Sequence, residues 1–135
     1  GLAKTVELAV AHPLVQPLRV YEYDSAKPPT NAFNDLQPAK GTVSAKDGVV
    51  TVAVPARSLT FLTTDYVERV PEAVTEIAVA DGTVRWKASE DPEHVYYRVY
   101  CNGKQIASTV ATSVKTTNLG TYAVRSVDRW GNEGK

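Results

Sequence analysis

The stretch "DGTVRWKASEDPEHVYYRVYCNGKQIAS", residues 81–108, decides the fold. Asp81-Gly82 and Asn102-Gly103 are pairs that tolerate the positive φ angles of tight hairpin turns. Between them, Val84 and Trp86 alternate with Thr83, Arg85 and Lys87. Tyr97, Val99 and Cys101 then alternate with Tyr96, Arg98 and Tyr100. A period of two over five to seven residues predicts strands with one buried face. The stretch therefore reads as strand, loop, strand, turn, strand, with no helical spacing.

The same alternation extends in both directions. "KTVELAV" sets Val6, Leu8 and Val10 against Thr5, Glu7 and Ala9, and "VVTVAVP" sets Val50, Val52 and Val54 against Thr51 and Ala53. "SLTFLT" places Leu59 and Phe61 on one face, and "YAVRSVD" sets Tyr122 and Val124 against Ala123 and Arg125. Strands recurring about every ten residues, with Asp47-Gly48 as a further turn pair, predict an all-β chain of antiparallel β-sandwich type. The expected boundary falls in "TTDYVERVPEA", where Asp65 to Val70 reads as a polar connector. Pro71, lacking an N–H to donate to a ladder, suits the start of a new edge strand.

From Pro71 onward the order of elements resembles a fibronectin type III domain of the immunoglobulin-like class. Val74–Val79 corresponds to strand A, Thr83–Lys87 to B, "VYYRVY" to C, Lys104–Ser108 to C′, Thr112–Thr116 to E and Tyr122–Asp128 to F. The resemblance implies a core of Trp86, Tyr97, Val99, Leu119 and Tyr122. Tyr122 would form a tyrosine corner, its phenol bonding back to nearby backbone. Strand G is the departure: "VDRWGNEGK", residues 127–135, leads toward it and stops. An unpaired strand F is a hazard, so three completions stand open: continuation beyond Lys135, a stub of G in the last residues, or another segment in the slot. The absence of Met and the opening on Gly1 carry the expectation that the chain is a piece of a longer protein.

Residues 1–66 read as a smaller β-sandwich portion. Across residues 18–65, the "RVYEYD" strand, the polar loop Asp24–Leu36 and "DGVVTVAVPARSLTFLTTD" resemble the closing strands of the β-sandwich that follows the catalytic barrel in several glycoside hydrolase families. Such sandwiches end in two hydrophobic strands about a Pro-x-x-Ser kink, here Pro55 to Ser58.

Composition narrows the function classes. With 15 basic and 15 acidic residues, balanced in each half, the chain lacks the basic stripe that nucleic acid or an anionic membrane selects. No apolar run approaches the ~20 residues of a membrane span, and no stretch of these residues reads as a signal peptide. Cys101 is the sole cysteine, excluding an intrachain disulfide, and its alternation places it in the core. His12 and His94 carry no motif. Phosphate-loop, metal-ligand and Ser/His/Asp patterns are absent.

Two groups remain as candidate sites. Glu90, Asp91 and Glu93 lie in the loop between strands B and C. Solvated charge is the ordinary reading there; a calcium or other hard-cation site is the alternative, because such ions take carboxylate oxygens. No other cofactor is expected. Asp24 and Asp35, at the ends of the long loop, are weighed in the same way. Tyr96, Arg98 and Tyr100 share the outer face of strand C, with Arg125 near them from strand F and Trp130 in the following turn. They either cover a sheet face or form a carbohydrate or domain contact through stacking aromatics and arginines.

The resemblances carry the functional expectation: a non-catalytic ancillary region of a secreted multidomain glycoside hydrolase, bracing or spacing the catalytic domain of the same parent chain. They imply a bacterial protein that is secreted, periplasmic or on the cell surface. The alternatives are a carbohydrate-binding module gripping polysaccharide, or a protein-interaction module of a cell-surface protein.

Overall fold

A computed structural model describes residues 2–135. The chain is all-β: its strands form several antiparallel sheets, consistent with β-sandwich architecture, and the described residues form no helix. It divides into two compact units. One contains the residues up to Asn31 with Leu36–Tyr66; the other contains Ala32–Asp35 with Val67–Lys135.

Among the described residues the first unit has five strands: β1 (Lys4–Ala9), β2 (Leu18–Tyr23), β3 (Gly41–Val43), β4 (Val49–Val54) and β5 (Leu59–Thr63). β1 pairs with β4, while β2 lies between β3 and β5. On β4 the alternation turns Val50 and Val52 into the core and leaves Thr51 and Ala53 exposed. β5 departs from expectation. Leu59 and Phe61 share a face, but that face is 63% and 54% exposed, and Thr60 and Leu62 are the more buried set. Arg57 adopts φ 55°, and the Ser58 hydroxyl donates to the Pro55 carbonyl at 2.8 Å, closing the Pro-x-x-Ser turn. Tyr66, read as part of the polar connector, is buried in this unit. Its hydroxyl donates to the Pro17 carbonyl at 2.7 Å, and the Arg19 guanidinium lies 4.2 Å from its ring centre.

The second unit has six strands: β6 (Ala78–Ala80), β7 (Thr83–Arg85), β8 (His94–Cys101), β9 (Lys104–Thr109), β10 (Ser113–Lys115) and β11 (Tyr122–Asp128). Two three-stranded antiparallel sheets result, in the orders β10-β7-β6 and β11-β8-β9. Val84, Trp86, Tyr97, Val99 and Val124 form the buried cluster, with Val74, Ile106, Val114 and Tyr122 packed against it. Trp86 meets Tyr97 edge to face at 5.3 Å, the geometry that ring quadrupoles favour. Cys101 is buried at the end of β8.

Three details correct or complete the expectations. The strand expected over Val74–Val79 begins only at Ala78, because Glu76 takes φ 57°, which an extended strand cannot accommodate. Leu119 is not a core residue. It is 90% exposed, in the connection whose carbonyl at that position accepts from Asn102 Nδ2 at 3.2 Å. Tyr122 does bond back, its hydroxyl donating to the Asn118 carbonyl. Beyond β11, the chain turns through Gly131 at φ 79° and runs back beside the strand: Val127 bridges Glu133, and Gly134 N–H donates to the Ser126 carbonyl at 2.8 Å. The last residues therefore run antiparallel beside β11 through one isolated bridge, without forming a strand of their own.

Candidate functional site

The candidate face is built by strand alternation. Tyr97, Val99 and Cys101 occupy the inner side of β8, so Tyr96, Arg98 and Tyr100 stand on the outer side. Antiparallel pairing sets Arg98 directly opposite Arg125 of β11 and opposite Ser108 of β9. Two like charges facing each other across a ladder repel, and the face resolves this with carboxylates from distant sequence.

Glu133 accepts from Arg98 Nη1 at 2.7 Å, from the Tyr100 hydroxyl at 2.7 Å and from Arg125 Nη1 at 3.2 Å. Asp35 lies on the other side of Arg98. It accepts from Arg98 Nε at 2.5 Å and Nη2 at 3.0 Å, from the Tyr96 hydroxyl, and from Gln105 Nε2 and Ser108 Oγ at 3.1 Å each. Asp35 is only 3% exposed. Arg98 therefore sits between two carboxylates, and the sheet face is closed by a connected polar network. The sequence reading grouped Tyr96, Arg98, Tyr100 and Arg125 correctly on one face but treated Asp35 as an ordinary loop carboxylate.

Electrostatics follow from this packing. Burial alone would raise the Asp35 carboxyl; hydrogen bonds from Arg98 and Tyr96, the Arg98 charge and the Gln105 amide outweigh it and hold the group at about 2. Burial likewise works against the charged form of Glu133, yet Tyr100, Arg98 and Arg125 keep its carboxyl below the ordinary value. Burial and the bond to Glu133 push the Tyr100 phenol up to about 12. Burial and the bond to Asp35 raise Tyr96 as well. Arg98 is desolvated, but its two carboxylates stabilise the cation and raise it further.

The acidic loop disperses its carboxylates among neighbouring cations. Glu90 pairs with Lys87 at 3.0 Å, Glu93 with Arg129 at 3.7 Å, and Asp91 with Arg69. Each carboxylate thus takes its own cation, and among the described residues no group of three His, Cys, Asp or Glu side chains could hold a metal ion. Asp24 caps its own loop, accepting from the Ala26 and Lys27 N–H groups at 2.7 and 2.8 Å.

Trp130 belongs to the turn after β11. Its N–H donates to Asp128 Oδ1 at 3.0 Å, and the Arg129 guanidinium stands 5.2 Å from its ring centre. Asp128, fully buried, organises that turn by also accepting from the Asn132 N–H and Asn132 Nδ2, both at 2.9 Å. Asn132 Nδ2 in turn donates to the Val67 carbonyl at 2.7 Å, and Arg69 reaches Asp128 at 3.7 Å. "VDRWGN" is thus a self-bonded turn that holds the segment entering the unit.

One pairing was not foreseen: His94 Nδ1 lies 2.8 Å from Ser126 Oγ, and the His94 ring packs at a tilt against Tyr97, with ring centres 4.2 Å apart. Ser126 is fully buried, so no substrate carbonyl can approach it as a nucleophile. Burial holds His94 below its ordinary value. In the first unit, an open cleft of about 490 Å³ carries His12, Gln16 and Ser44 as its polar side chains and, among the described residues, no carboxylate.

Asp35 and Glu133 stand 63 and 35 positions from Arg98, beyond any local pattern. The available signal was indirect: Arg98 opposite Arg125 demands an acid between them.

Comparison with family models, with curated proteins and with solved structures returns no match. The chemistry of the face is therefore carried by its own geometry.

Proposed function

We propose that the chain is a non-catalytic ancillary region of a secreted bacterial glycoside hydrolase, bracing or spacing a catalytic domain of the same parent protein. The observation that carries the structural reading is the closed outer face of β8, β9 and β11. Arg98, Tyr96 and Tyr100, the side chains best suited to grip a sugar, are bonded to Asp35 and Glu133. A ligand would have to displace charge-assisted bonds in a largely desolvated setting, which are among the stronger polar contacts in proteins. The β10-β7-β6 and β11-β8-β9 sheets, together with the Tyr122 bond to the Asn118 carbonyl, support a fibronectin type III assignment for residues 71–135. The resemblance of residues 18–65 to the sandwich that follows glycosidase barrels supplies the parent class.

Calorimetric titration with plant and host polysaccharides tests the proposal. No heat of binding is expected. Measurable affinity abolished by Tyr100→Ala or Trp130→Ala would replace the bracing role with a carbohydrate-binding one.

A further inference from the structure

The surroundings of Asp35 are more specialised than closure of a sheet face requires. Five donor atoms from four side chains converge on this single carboxylate: the Tyr96 hydroxyl, Arg98 Nε and Nη2, Gln105 Nε2 and Ser108 Oγ. All four side chains come from β8 and β9, so the ladder itself places them.

A break in register makes the convergence possible. Gln105 and Ser108 are three residues apart on β9, an odd spacing that would send them to opposite faces of a regular strand. The pairing passes from Val99↔Ala107 to Tyr100↔Gln105, leaving Ile106 as an extra residue. This bulge returns Gln105 to the outer face, where its Nε2 donates to both Ser108 Oγ at 2.8 Å and Asp35. Bulges re-aim side chains in this way beside functional sites.

We propose that Tyr96, Arg98, Gln105 and Ser108 form a carboxylate-binding socket in which Asp35 is the resident occupant, and which accepts a free planar monocarboxylate when that side chain is absent. Arg98 presents Nε and Nη2 as a fork to the two oxygens of one carboxylate, the side-on bidentate match of guanidinium and carboxylate geometry. Its remaining nitrogen, Nη1, stays on Glu133. That neighbouring negative charge sets the selectivity: a singly charged planar acid fits, and a doubly charged tetrahedral anion is repelled. In the intact chain Asp35 is tethered, and an intramolecular group outcompetes millimolar free ligand. The socket does not require the parent-enzyme proposal, because it rests on the geometry of β8 and β9 with Asp35 and Glu133.

The test uses the full chain carrying Asp35→Gly, with sodium acetate as probe. Both tryptophans, Trp86 and Trp130, lie in the second unit, so their fluorescence follows that unit selectively. Thermal unfolding at neutral pH is compared in acetate, chloride and sulfate at matched ionic strength. In about 0.3 M acetate the variant's Tm should exceed its value in chloride by about 3 °C or more. The unsubstituted chain should show less than about a third of that shift. If D35G is unfolded in chloride, acetate should restore the folded tryptophan emission; failure to do so overturns the socket. An acetate response no larger than that of the unsubstituted chain overturns it as well. So does a sulfate response equal to or above that of acetate.

Discussion

Arg98 and Arg125 stand directly opposite each other on β8 and β11, and Glu133 bonds to both guanidinium groups, at 2.7 and 3.2 Å. A like-charge pair across a ladder is destabilising by itself; with Glu133 above it, the pair anchors the returning chain to the sheet. Glu133→Ala should therefore destabilise the second unit by about 1–3 kcal/mol, since it strands Arg98 Nη1 and the Tyr100 hydroxyl. Denaturant unfolding followed by tryptophan emission measures this. Arg125→Ala, at an exposed position, should cost well under about 1 kcal/mol.

Asp35→Ala should be among the most damaging single changes, at about 3–5 kcal/mol, because it leaves the Arg98 cation largely buried beside unpaired donors. Asp24→Ala, in the same loop, removes only an exposed cap and should cost about 0.5–1 kcal/mol. Equal costs at the two positions would contradict the burial of Asp35.

Acid should unfold the second unit through this face. Asp35 is held at about 2 against an ordinary 3.8, and Glu133 below its ordinary 4.5. The unfolded chain then binds more protons than the folded one as pH falls. The stabilisation from Asp35 is complete above about 4 and is lost as pH drops from 3.8 toward about 2. Unfolding free energies measured across that range should fall steeply, and Asp35→Asn should flatten the slope.

His94 contributes in a higher window. Burial lowers it from the ordinary 6.5, so the unfolded state takes up a proton before the folded state does. Its contribution is intact above 6.5 and is lost as pH falls through 6.5 toward the lowered folded value. His94→Gln should remove that slope in stability measured between pH 5 and pH 8.

Trp86→Ala should cost about 3–5 kcal/mol, because it empties part of the Val84–Trp86–Tyr97–Val99–Val124 cluster. Arg85→Ala, exposed at the end of the adjoining strand β7, should be nearly silent. Similar costs would mean that the faces of this strand are reversed.

The parts legible in the sequence are those governed by period two. Val84, Tyr97, Val99 and Val124 fall inward, while Tyr96, Arg98, Tyr100 and Arg125 share the outer side, because alternation alone assigns them. Leu119 and Phe61 were placed less well. The fibronectin type III resemblance put Leu119 in the core, and alternation put Phe61 on a strand expected to bury a face. Leu119 instead lies in a connection, and Phe61 lies on the open side of β5 against Tyr21, with ring centres 6.1 Å apart. Which face of a strand is covered depends on the neighbouring sheet, and one strand's sequence does not record it. Asp35 was invisible for a related reason: its partners lie 61 to 73 positions away. Bringing a carboxylate to an arginine across such a distance leaves no local trace.

The most direct test of the account is a double-mutant cycle between Asp35 and Arg98, using Asp35→Ala, Arg98→Ala and the pair, with unfolding followed by tryptophan emission. If Arg98 exists to receive Asp35 within the chain, the coupling energy should be about 2–3 kcal/mol, so that the double variant loses that much less than the sum of the two single losses. A coupling within about 0.5 kcal/mol of zero would contradict it and leave Arg98 free to serve an external ligand.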